Sequence, residues 1–269
     1  MYIIGISSDK KYLSSPNLRL FLQTSLIIVS IYVLKIQINE TRLPIIDNFL
    51  DKGFFSIIFT TFCILILING SNFIDGINCN LILYYLLITF LFIFINDNNF
   101  FSLISRKDLI IISIFLSITL LLNFLGRITS GDSGAYLLSY IWGLNLIQIS
   151  SNNSFVSPFF IVLLLWYPAF ENLFSLIRRL YNKDSVSSAD KLHLHQLIYR
   201  YLKLKKIFSE KKINTISSIL ILVFNIPIFL IASLNYFHTT TLVLTTIVYV
   251  IIYLFLYFYL IKKIVFKNN

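Results

Sequence analysis

This sequence predicts an all-helical, polytopic integral membrane protein of about eight transmembrane helices, and three observations carry that prediction. Of 269 residues, 57% are hydrophobic and 13% charged, and the mean hydropathy of +0.82 lies far above that of a water-soluble domain of this length. Eight apolar stretches approach or reach the length needed to cross the hydrocarbon core as helices. The basic residues also fall mostly between alternate stretches, as short cytoplasmic loops require.

The elements follow in order. The opening run Tyr2–Ile6 is too short to span anything and lacks the basic start of a signal peptide, so it reads as the last turn of a helix. The spans are then Leu18–Ile38, Gly53–Ile68, Leu81–Ile95, Leu109–Leu125, Ala135–Ile149, Pro158–Ile177, Ile213–Leu234 and Thr240–Ile261. Gly53–Ile68 and Leu81–Ile95 carry no charge at all. Beyond the sixth span, Leu194, Leu197, Ile198 and Tyr201 recur at helical spacing beside Arg200, Lys203 and Lys205, the pattern of a helix lying at the membrane interface.

If the chain start and the Asn69–Asn80 loop share a face, that face also takes the loops 126–134 and 178–212 and the tail from Lys262, and with them 16 of the 22 Lys and Arg. That face is the cytoplasm. The net charge of +10 is mostly this asymmetry, with attraction to anionic membrane lipids as a secondary gain, and it does not indicate nucleic-acid binding. Cys63 and Cys79 suggest neither a disulfide nor a metal site.

Six of the eight glycines lie on the same face or its edges: Gly5, Gly70, Gly76, Gly126, Gly131 and Gly134. Among the acids there, Asp184 and Glu210 read as solvated loop residues, while Glu171 lies inside a span. Three stretches resist so plain a reading: "NGSNFIDGINCN" from Asn69, "GRITSGDSGAYLLSY" from Gly126 and "DKLHLHQLIYR" from Asp190. Their aspartates and asparagines suit a nucleotide with a hard divalent cation. Their histidines and basic residues suit phosphate charge, so the chemistry indicated is phosphoryl transfer at a membrane surface. His193 and His195 are two apart, so on one helix their rings would diverge, which argues against a paired zinc site.

These stretches carry a resemblance. "NGSNFIDGINCN" resembles the Asn-x-x-Asn-x-x-Asp-Gly signature of the polyprenyl-phosphate N-acetylhexosamine-1-phosphate transferases, the glycosyltransferase 4 family that includes the phospho-MurNAc-pentapeptide translocase. "SGDSGAYLL" resembles that family's Gly-Asp-x-Gly loop, "HLHQ" its histidine motif, and "GISSDKKYLSSPNLRLFLQ" its Gly-x-x-Asp-Asp loop with the helix that follows. "LLWYPAFENLFSLIRRL" is similar to the span before the histidine loop.

The resemblance implies transfer of an N-acetylhexosamine-type sugar 1-phosphate from a UDP-sugar to polyprenyl phosphate, releasing UMP, with Mg2+ as cofactor, in cell-surface polysaccharide or lipopolysaccharide synthesis. It implies Asp9, Asp75, His193 and His195 as catalytic residues, Asn69, Asn72, Asn78 and Asp190 as substrate-binding residues, and Asp132 with Asp75 as metal ligands. It places the protein in the cell inner (cytoplasmic) membrane, its site facing the cytoplasm, and leaves room for a homodimer. Residues 1–269 read as one transmembrane domain, N-terminally incomplete relative to the family. Ser8 stands where the family carries the first acid of an aspartate pair, and Cys79 where it carries a glycine. These departures motivate an alternative, a catalytically impaired homologue that holds lipid phosphate as a membrane scaffold. The "GDSG" around Ser133 also resembles the surroundings of a serine-protease nucleophile, a short match explained more simply by the motif above.

Overall fold

The computed structural model describes residues 1–95, 104–183, 190, 192–206 and 208–265. Asp184 lies outside these residues. Among the described residues eleven helices run in order: α1 Tyr2–Asp9, α2 Pro16–Leu34, α3 Pro44–Leu50, α4 Gly53–Ile74, α5 Asn80–Phe94, α6 Arg106–Phe124, α7 Gly131–Asn152, α8 Pro158–Asn182, α9 Leu194–Lys205, α10 Glu210–Leu234 and α11 Thr239–Val265. Each of the eight stretches expected to span contains a helix, though the first ends at Leu34, four residues short of the expected Ile38, where Lys35 turns left-handed. Six of the helices, α2, α4, α6, α8, α10 and α11, are long and apolar enough to cross a membrane. The chain is a polytopic helical membrane protein, but an eight-span count needs α5 and α7 as well. With 15 residues, α5 reaches only about 22 Å at 1.5 Å per residue, and α7, at 22 residues, is more polar.

Local chemistry explains where the helices start. Ser15 caps α2 ahead of Pro16, the Ser157 hydroxyl caps α8 ahead of Pro158, and Ser105 with Asp108 forms a reciprocal capping box at α6. In apolar surroundings each unpaired backbone group is costly, so a proline inside a spanning helix needs a compensating donor. Pro168 in α8 leaves the Leu164 carbonyl without its usual partner, and the Tyr84 hydroxyl of α5 donates to it at 2.8 Å.

The centre of the bundle is α4, packed on α7 and α8, while α5 bridges α6 to α10. Gly70 is what lets α4 and α8 touch backbone to backbone: a Cβ there would stand 1.9 Å from the Pro168 carbonyl oxygen. Gly5 does the same for α1 on α7, where a Cβ would meet the Ser133 Cα at 2.3 Å. α9 rests on α10 and α11 with Leu194 and Leu197 buried, the amphipathic arrangement read from its spacing. Glu210 pairs with Lys203 where both are well exposed, as expected of a solvated acid. These packings bring α1, the ends of α4 and α8, and the starts of α7 and α9 together at one end of the bundle.

Candidate active site

Two clusters meet at that end. The first is built on carboxylates. Asp9, the last residue of α1, accepts from the first amides of α7, Asp132 N–H at 2.9 Å and Ser133 N–H at 3.1 Å. A carboxylate is favoured there because those N–H groups have no helical partner and sit at the positive end of the helix dipole. Gly131, at φ +61°, makes the turn against which Asp9 packs. Asp132 faces the other way: its Oδ2 accepts from Ser8, from Arg19 Nη1 at 3.0 Å and from Tyr136 at 3.3 Å. Arg19 also donates to the Ser8 oxygen at 2.6 Å, so Ser8 sits between guanidinium and carboxylate.

Asp75 closes the cluster at the end of α4. Burial pushes its carboxyl up to about 7, the Ser130 hydroxyl and Gly131 N–H work against that rise, and the negative charges of Asp132 and Asp9 add to it. The Asp75–Asn80 turn is pinned on both sides. Asn214 of α10 accepts from the Asn78 N–H at 3.0 Å, and Asn123 of α6 accepts from the Cys79 N–H at 2.6 Å. Cys79 is left-handed at φ +69°, so the glycine expected there has been replaced without changing the backbone that favours it. Asn72 lies half-buried in the last turn of α4, whereas Asn69 turns its amide back to the Leu65 carbonyl.

The second cluster is mostly buried, with only Arg178 and Asp190 partly exposed. His193 Nδ1 lies 2.9 Å from Glu171, Leu194 N–H donates to the same carboxylate at 3.0 Å, and Glu171 is 1% exposed. Asp190 accepts from Ser175, Arg178 and Leu192 N–H, with Arg179 and His193 Nε2 each 3.7 Å away. Burial alone would push the Asp190 carboxyl up, but these donors outweigh it and hold it below its usual range. The two histidine rings do not diverge as a shared helix would require. His193 precedes α9 in extended geometry, and the rings stack 5.6 Å apart within 3° of parallel. His195 is fully buried, which lowers its imidazole to about 4 and keeps it neutral.

The clusters adjoin at Gly76, where a Cβ would come within 3.0 Å of His195 Nε2. Ser133 donates to the Ser130 carbonyl, which leaves its hydroxyl a role within the α7 turn rather than as a nucleophile. Two residues were not picked out as functional from the sequence. Arg19 carried a usable signal, a lone cation at the edge of an apolar run. Glu171 was visible as a carboxylate within a span, but nothing local named its partner. Among the described residues no three His, Cys, Asp or Glu side chains converge as a metal cage.

The helices thus carry carboxylates, an arginine and histidines to one end of a membrane bundle, the arrangement of a polar site at a membrane surface. The sequence profile of glycosyl transferase family 4 matches residues 1–150, more than half of the chain, and the chain belongs to that family. It is 25% identical over 206 residues to the probable undecaprenyl-phosphate N-acetylglucosaminyl 1-phosphate transferase of Bacillus subtilis (strain 168). That alignment covers 74% of this chain and 55% of the relative, so the chain spans about half the relative's length. No solved structure matches the chain.

Proposed function

We propose that the chain moves an N-acetylhexosamine-type sugar 1-phosphate from a UDP-sugar to polyprenyl phosphate at the cytoplasmic face of the inner membrane, in the synthesis of a surface polysaccharide or lipopolysaccharide. The observation that carries this reading is the meeting of Asp9, Asp75 and Asp132, with Arg19 among them, beside the buried His195. The count of basic residues supports the cytoplasmic orientation.

In that reaction an oxygen of the polyprenyl phosphate attacks the phosphorus that bears the sugar. The bond from that phosphorus to the bridging oxygen breaks, and UMP leaves with the oxygen. Anionic groups must crowd together, so the protein's part is mostly positioning and charge stabilisation. Arg19 has further N–H donors beyond the one directed at Ser8 and Asp132, and these suit phosphate oxygens.

The donor set fits magnesium as a shared site: Asp132 and Asp75 would hold the ion, and phosphate oxygens and water would complete its preference for oxygen ligands. Bound there, it would supply positive charge against the phosphates. Asn72 and Asn78 border the same turn and suit the nucleotide.

A binding-only scaffold is the second reading, favoured by Ser8 in place of an acid and by the closed Arg19–Asp132 pair. One experiment separates the two. In nanodiscs, magnesium-dependent UDP binding is measured by calorimetry and UMP release is measured from UDP-N-acetylglucosamine with polyprenyl phosphate. The transferase reading expects both, and expects Asp132→Asn to weaken UDP binding by about tenfold or more while Asp108→Asn in the α6 capping box does not. Binding of polyprenyl phosphate without UMP release supports the scaffold, and absence of both sinks the two readings together.

A further inference from the structure

Glu171 is the only carboxylate within the described part of α8, one turn beyond Pro168, and it is almost fully buried. A carboxylate is retained in such a place only when its lone pairs are matched. Here they are matched by two groups from one short stretch, the Leu194 N–H at the start of α9 and the His193 ring at Nδ1. The single side chain therefore sets both the direction in which α9 leaves α8 and the rotation of the His193 ring.

His193 is held on every side but its Nε2, which lies beyond hydrogen-bond reach of Asp190. Its Nδ1 faces Glu171, its Nε2 faces Asp190 at 3.7 Å, one ring face lies against Phe73 at 4.7 Å, and the ring also stacks on His195. His195 differs in one respect. Its Nδ1 lies 3.4 Å from the Tyr167 hydroxyl, while its Nε2, fully buried, has no hydrogen-bond partner among the described residues and is directed at the Asp75–Gly76 turn. A buried polar nitrogen without a partner is costly to the fold, and each such group calls for an explanation, a ligand among them.

We propose that Glu171 is a positioning residue: through His193 it locks the histidine pair so that His195 alone, by Nε2, meets a nucleotide-sugar ligand at the Asp75–Gly76 turn. The two histidines of the motif thus divide the work, His193 as a strut inside the protein and His195 as the contact. A glycine at position 76 belongs to the same device, since any side chain there would stand between His195 Nε2 and the ligand. This proposal rests on the transferase reading only for the nature of the ligand; the locking of the rings stands on the geometry of the chain itself.

The test uses the full chain in nanodiscs with 15N-labelled histidine, which is tractable because the sequence has three histidines and a His238→Gln variant assigns the third. Without ligand, His193 should carry its proton on Nδ1 in a strong hydrogen bond, and Glu171→Gln should weaken that signature and move the His195 ring signals as well. With magnesium and UDP added, the His195 signals should shift and those of His193 should stay in place. UMP release by Glu171→Gln should fall roughly 10–100-fold, the usual size of an effect transmitted through a supporting hydrogen bond, mainly in kcat rather than KM. Should Glu171→Gln not fold, His193→Gln keeps an N–H donor for Glu171 but removes the ring stacked on His195, and the His195 ring signals are again expected to move. A His193 ring lacking the Nδ1 proton, His195 signals indifferent to Glu171→Gln, or a UDP response seen at His193 instead of His195 would each overturn the proposal. If calorimetry detects no UDP binding, the transferase reading falls, and the ligand-free spectra still decide whether Glu171 locks the pair.

Discussion

The carboxylate cluster and the histidine cluster touch at Gly76, yet they are held together by opposite means. In the first, the Arg19 and Asp132 side chains remain 26% and 21% exposed, so water screens their attraction and the pair is worth little to stability. In the second, Arg178 and Asp190 are 13% and 6% exposed and Glu171 is buried outright. Removing one partner there strands a charge, which is costly. Weakly held charges can exchange one partner for another, as the proposed reaction would require. Tightly satisfied ones cannot, and they serve as the frame against which the first set is placed.

The largest expected effect breaks the frame from a distance. Gly70→Ala would push α4 off α8 where backbone meets backbone, so neither side can yield by rotating a side chain. We expect a loss of about 3 kcal/mol or more, read as a lower thermal transition in detergent, with both clusters disrupted together. A normal transition would mean that the two helices are not in contact at Pro168.

An intermediate effect separates the clusters by pH. His195 is held down at about 4 against an ordinary 6.5, so between these values the unfolded chain binds the extra proton and stability falls as pH falls. Asp75 is raised to about 7 from 3.8, so the folded chain binds the extra proton and stability falls as pH rises through that window. The two slopes oppose one another between pH 4 and 6.5. In magnesium-free buffer, His195→Gln should therefore tilt the stability profile towards acid and Asp75→Asn towards neutral pH. Each tilt should amount to about 1.4 kcal/mol per pH unit at most. Matching tilts in the same direction would refute the assignment of opposite environments.

The smallest effect concerns the turn joining the clusters. Cys79→Gly relieves a left-handed strain of roughly 1–2 kcal/mol but loses the buried thiol and adds chain entropy, so the net change should stay within about 1 kcal/mol. Cys63→Gly, in the middle of α4, has no strain to relieve and should cost at least about 1 kcal/mol. If the two variants prove equally harmful in thermal melts, the turn at Cys79 is not left-handed.

Much of this was legible in the chain alone. Long uncharged runs leave a helix as the only way to satisfy the backbone in lipid, so the helical bundle follows from composition. The interface helix α9 follows from its apolar spacing. Polar stretches interrupting those runs pointed to Asp9, Asp75 and Asp132, and the structure does bring these three to one place. Asn69 belongs to the same stretch but bonds back into its own helix, because an asparagine amide facing apolar surroundings takes the nearest carbonyl. Asp190, read as a contact for substrate, is already satisfied by Ser175, Arg178 and Leu192.

What composition and periodicity determined, then, was the solvent this chain lives in, its helices and the end of the bundle where its polar residues collect. Partners were decided only by the tertiary structure. Arg19 reaches Asp132 across 113 positions of chain, Glu171 reaches His193 across 22, and His195 faces Gly76. Periodicity reports which side of a helix is buried, whereas a hydrogen bond between helices depends on the angle and depth at which they pack. Here those are set by backbone contacts at Gly5 and Gly70, whose sequence neighbours give no sign of what they touch.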